Sequence, residues 1–137
     1  MAIEHQVDHQ HKLVVVDGYG TVTGEEIFAY QRGVWSDPLL VGYDELVDMT
    51  RVERVAPFTS DRARELARLS AAMDHPESST KLAIVAPDDL LFGLSRMYEA
   101  FREAEPRSRK QVAVFRARPQ AMAWLGHAQQ VAGKGSA

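Results

Sequence analysis

"KLAIVAPDDLLFGLSRMYEAF", Lys81 to Phe101, decides how this chain is read. Its first six residues are an almost unbroken apolar run of strand length, the pattern of a strand covered on both faces of a sheet. Pro87 and Asp88 stop the run, and apolar residues then recur at helical spacing. Leu90, Leu94, Met97, Tyr98 and Phe101 are expected on one buried face of a helix from about Asp88 to Glu105, with Pro106 blocking its continuation. A buried strand feeding an amphipathic helix is a β–α unit, and repeats of that unit build a mostly parallel sheet.

The same unit recurs on both sides. Downstream, "KQVAVF" reads as the last strand, and a helix starting near Pro119 presents Ala121, Trp124 and Leu125 inward and stops at Gly126. Upstream, "YDELVDM" reads as a short strand. The helix after it runs from about Ser60 to Asp74, with Ala63, Leu66, Ala67, Ser70 and Met73 inward and Asp61, Arg62, Arg64, Glu65 and Arg68 outward. Thr23 and Glu26 form a capping-box pattern that opens a helix through Trp35. Before it, Ile3 to Asp8 and "LVVVDGYGTV" suggest two antiparallel strands turning near His9 to His11. The expectation is a single α/β domain over residues 1–126, with about five strands in a mostly parallel sheet, one antiparallel edge strand and about four helices. Residues 127–137 read as a flexible tail.

Composition narrows the function. A chain of 137 residues, 45% hydrophobic, fits one domain with one core. A net charge of −3 offers no basic face for nucleic acid. With no cysteine there is neither a disulfide framework nor a thiolate site, and no apolar leader or membrane span is written in the sequence, so a cytoplasmic protein is expected.

Thr59 and Ser60 stand where a loop becomes a helix. A helix N-terminus offers unpaired N–H groups and the positive end of a dipole, so it accepts either a capping oxygen or a phosphate. Capping by one of the pair is the favoured reading. Asp61 would repel an added phosphate.

Four stretches, "GYDELVDMTRVERV", "KLAIVAPDDLLFGLSRMYEAF", "VAVFR" and "ARPQAMAWLG", carry a resemblance spanning roughly Leu13 to Gly126. The chain resembles the small bacterial α/β domains described as STAS-like or CRAL-TRIO-like, which share the fold of anti-sigma-factor antagonists. The resemblance implies a STAS-like β/α superhelix. In the antagonist branch it also implies a Ser or Thr at a helix start that a partner kinase phosphorylates, and the matching residues are Thr59 and Ser60. That branch usually has an aspartate before the hydroxyl and a glycine after it, whereas Phe58 and Asp61 flank the pair here. The CRAL-TRIO side implies an apolar or lipid ligand.

Other candidates have plainer explanations. His5, His9 and His11 lack any recognised ligand spacing, so no metal is expected. Asp44, Glu45 and Asp48 cluster on one strand, with Asp48 placed to accept hydrogen bonds from the backbone that follows. "GYG" at Gly18 to Gly20 is no phosphate loop and reads as a strand bend or bulge. Phe92 falls off the main apolar stripe, with Arg96 one turn on; Gly93 between them suggests a close helix–sheet approach. The resulting expectation is a non-enzymatic interaction domain with a protein partner and no cofactor, with Thr59 and Ser60 as the candidate phosphorylation, anion or partner site and Phe58, Phe92 and Arg96 as a candidate partner or ligand surface. The alternative is a small apolar-ligand or lipid-binding protein. A homodimer is the assembly that base rates favour.

Overall fold

The computed structural model describes residues 2–56 and 58–126. Two strands open the chain, β1 (Ile3–Asp8) and β2 (Leu13–Val22), followed by α1 (Gly24–Val34), β3 (Asp44–Val55), α2 (Ser60–Met73), β4 (Thr80–Val85), α3 (Asp89–Glu103), β5 (Lys110–Phe115) and α4 (Arg118–Leu125). A 3-10 turn at Pro38–Leu40, not foreseen from the sequence, joins α1 to β3. The five strands lie in chain order, β1-β2-β3-β4-β5, with β1 antiparallel to β2 and every later pair parallel. The expected α/β sheet with one antiparallel edge is therefore present. The tail assigned to residues 127–137 lies outside the described residues.

The two sheet faces are covered unequally. Parallel crossovers share one hand, so a sheet that always grows in the same direction places its crossover helices on the same side. Accordingly Phe28 of α1, Leu66 and Ala67 of α2 and Tyr98 of α3 meet Leu82, Ile84 and Val112 in one cluster. The other face is left to α4, whose Ala121, Met122 and Leu125 pack on Leu13, Leu46, Ala83 and Val85. Arg118 anchors that helix through Asp48 Oδ2 (3.0 Å) and Asp17 Oδ1 (3.5 Å); the two carboxylates offset a cation at the positive end of the helix.

Helix starts follow the sequence signals. Thr23 Oγ1 accepts the Glu26 backbone N–H (3.1 Å) while Glu26 Oε1 accepts that of Thr23 (2.9 Å), completing the capping box. Thr59 caps α2 by accepting the Arg62 N–H (3.2 Å), and Asp88 caps α3. Gly126 ends α4 in the left-handed region at φ 87°.

Three expectations need correction. First, β3 does not end at Met49 but runs on to Val55. Two register shifts against β2, between Asp17 and Tyr19 and between Gly20 and Thr21, each insert a residue and break the period-two alternation that marks a strand. Second, the fully buried residues of α3 are Leu91, Ser95, Tyr98 and Arg102; of the expected stripe Tyr98 is buried and Leu94 and Phe101 pack inward, but Leu90 is 76% exposed. Third, Gly93 permits no close approach, since a Cβ there would meet nothing within 4 Å. The tight contact is at Gly18, where a Cβ would lie 2.6 Å from Val52 Cγ2.

Candidate functional site

Beneath the three crossover helices lies a cavity of about 140 Å³. Its sheet side is built along β3 by Glu45, Val47, Met49, Val52 and Val55. The spacing changes from two to three after Met49, so the bulges keep the same face turned inward. Ile27, Leu66 and Leu94 close it from the helices, and Phe58 from the chain just before α2. A sheet whose order never reverses has no switch-point crevice at its strand ends, and the accessible space falls instead between sheet and helices.

One end of this apolar space is polar. Tyr30, Gln31, Glu45, Ser95 and Tyr98 line it there. Glu45 and Lys110 form a buried ion pair (3.0 Å), their side chains only 5% and 7% exposed. Tyr30 Oη donates to Glu45 Oε2 (2.6 Å), and Trp35 Nε1 donates to the same oxygen (3.2 Å) and to Tyr30 Oη (3.0 Å). The Lys110 ammonium also lies 3.4 Å from the centroid of the Trp35 ring, a cation–π contact in a desolvated setting. The carboxylate therefore has three donors, two from α1 and its C-cap and one from β5, and the charge is closed within the protein.

Burial, followed by the Glu45 charge, holds the Tyr30 phenol well above its ordinary value near 10, and burial raises that of Tyr98 as well. The folded chain thus keeps protons that the unfolded chain releases above pH 10. The stability tied to these phenols is fully present below pH 10 and falls as pH rises beyond it, by about 1.4 kcal/mol per pH unit for each phenol. Urea midpoints measured from pH 9 upward are expected to show this slope, and Tyr30→Phe is expected to remove its own share.

The sequence-derived candidates do not converge on one spot. Phe58 faces the cavity, whereas Thr59 and Ser60 are exposed at the start of α2, with Thr59 occupied as a cap. Phe92 packs near Val22, Val52 and Leu91, with the Arg116 guanidinium 3.9 Å from its ring centroid. Arg96 is exposed and pairs with Glu99 (3.0 Å). Among the carboxylates, Asp44 accepts the Lys81 N–H (2.9 Å) and Asp48 accepts the Thr50 N–H (2.9 Å), both on the α4 side, while Glu45 faces the cavity. His9 Nδ1 lies 2.7 Å from Tyr43 Oη, and His11 pairs with Asp8 (2.7 Å). Among the described residues no three metal-ligating side chains gather, and no helix is long and apolar enough to cross a membrane.

Sequence reasoning named Glu45 in a carboxylate cluster and Tyr98 on a buried face, but not their convergence with Tyr30, Gln31 and Ser95. The remaining traces of this polar end are a serine at position 95 on the buried face of α3 and a lysine at the head of the last strand.

No family model matches the chain, and comparison with curated proteins gives no match. Among solved structures it is similar to an uncharacterized protein from the DUF3478 family with a SpoIIAA-like fold from Shewanella loihica PV-4. The two are 16% identical, the alignment covers 90% of this chain and 93% of the other, and the TM-score is 0.58. At that identity the likeness speaks for architecture: the chain has the SpoIIAA-like, STAS-like fold, a single α/β domain with a five-stranded mixed sheet.

Proposed function

We propose that this domain binds a small apolar ligand without transforming it. The observation that supports this is the cavity under α1, α2 and α3, whose walls are apolar side chains from three helices and from β1 to β4. A space of about 140 Å³ is comparable to the dry, apolar cavities that accept one aromatic ring. The size fits a ring or a short branched chain rather than a long lipid. A binding role also suits the closed Glu45–Lys110 pair, which leaves neither charge free for acid–base work.

A protein partner is the second reading. It is favoured by Leu90, 76% exposed in the first turn of α3 two residues from Phe92. Phe58, which lines the cavity, belongs with the first reading.

One experiment separates the two: native mass spectrometry of the protein purified from its own cells. The expected result is a non-covalent adduct of low mass that disappears on denaturation and is absent from Val47→Phe, which fills the cavity from the sheet. A ligand-free chain running at the mass of a larger assembly would favour the partner instead.

A further inference from the structure

We propose that the ligand carries one neutral hydrogen-bonding group, a hydroxyl or an amide, which seats between Gln31 and Ser95 at the polar end of the cavity. This rests on the ligand-binding reading above and narrows it to a chemical class.

Two observations select that class. The first is a pair of buried polar side chains with hydrogen-bonding capacity to spare. Ser95 is 4% exposed and its hydroxyl has no side-chain or backbone partner among the described residues. Gln31 is 9% exposed, and its amide makes one weak contact, Nε2 to Met73 Sδ at 3.7 Å. Neither is sealed away, since the buried side-chain polar atom without a partner among the described residues is Ser70 Oγ, so the spare capacity of Gln31 and Ser95 opens onto the cavity. Both residues line the cavity, so a ligand group that both donates and accepts finds spare capacity on either of them.

The second observation concerns charge. Among the described residues no lysine, arginine or histidine lines the cavity. Lys110 is engaged by Glu45 and by the Trp35 ring, and Arg102 by Asp74, Tyr98 and Ser108. An anionic head would therefore be desolvated with no counter-charge and with the Glu45 carboxylate beside it. A cationic head would meet a carboxylate already holding three donors. A neutral donor–acceptor avoids both costs, so fatty acids and other carboxylates are excluded by the same residues that admit a phenol or an alcohol.

Phenol, toluene and benzoate share one ring size and differ in that single group, so they serve as probes for ligand-observed NMR at pH 7. Phenol loses more hydration than toluene on entering an apolar space, so a site without polar partners would prefer toluene. Here phenol is expected to bind at least as tightly as toluene, and benzoate not measurably. In Gln31→Leu/Ser95→Ala the toluene-to-phenol ratio of dissociation constants is expected to fall about tenfold while toluene still binds. Ser95→Ala alone, a change too small to disturb folding, is expected to give part of that fall. A ratio unmoved by either variant, with toluene bound, would overturn the polar seat and leave ligand binding standing. Benzoate binding tighter than phenol would overturn the requirement for neutrality. Failure of all three probes would overturn the ligand-binding reading itself.

Discussion

Arg102→Met is expected to lose about 4 kcal/mol of stability, a large share of the roughly 5–15 kcal/mol that holds a domain of this size. Arg102 is 2% exposed, the largest fully buried side chain among the described residues. Its guanidinium reaches three partners at once: Asp74, the Tyr98 hydroxyl (2.9 Å) and Ser108 Oγ (3.0 Å). Asp74 caps the end of α2 and also accepts the Arg109 N–H (2.8 Å), so one side chain ties α2, α3 and the turn into β5 together. Removing it strands a carboxylate that is only 9% exposed. Arg102→Lys is expected to recover little, because a point charge cannot serve three directions as a planar fork does. Arg96→Met provides the contrast. Its pair with Glu99 lies at the surface, and its loss is expected to shift stability by about 0.5 kcal/mol or less. Urea unfolding of the three variants checks the ordering, and an Arg102→Met cost below about 1 kcal/mol would contradict it.

Lys110→Met is the second large loss, about 3 kcal/mol, because Glu45 is left charged and buried with only the Tyr30 and Trp35 donors. The informative companion is Glu45→Leu/Lys110→Met. Replacing both charges by apolar groups of similar volume is often neutral, so the double variant is expected to return to within about 1 kcal/mol of the parent. A double variant as unstable as the single one would mean that the pair contributes net stability beyond the cost of its own burial. Thermal melts of the parent and both single and double variants measure this directly.

The architecture was legible in the sequence wherever hydrophobic pattern alone decides structure. "KLAIVA" is a buried strand, Thr23 with Glu26 is a capping box, and Pro119 and Gly126 bracket the last helix, all as their chemistry demands. What stayed hidden breaks the pattern for a physical reason. The far half of β3 is disguised by two bulges that shift its alternation. The inward face of α3 contains Ser95 and Arg102, so apolar counting finds Tyr98 but misses those two and places Leu90 inside, though it is the most exposed large hydrophobic among the described residues. The polar end of the cavity draws Tyr30, Glu45 and Ser95 from three separate elements, with Lys110 of a fourth paired to Glu45 behind it, and no spacing rule links residues that only the fold brings together. Phe58 was singled out for a partner or ligand surface, and it lies in the wall of the cavity, a position that depends on where β3 ends.

The strand order also has a kinetic meaning. Because each strand pairs with the one just before it in the chain, the β1–β2 hairpin supplies a template edge, and every following β–α segment can dock as it leaves the ribosome without waiting for a distant partner. Loop closure then costs little more at each step than the length of one helix. On this order α4, the last described helix, would pack across the opposite face only once β3 and β4 are paired, because its partners Leu46, Ala83 and Val85 lie on those two strands.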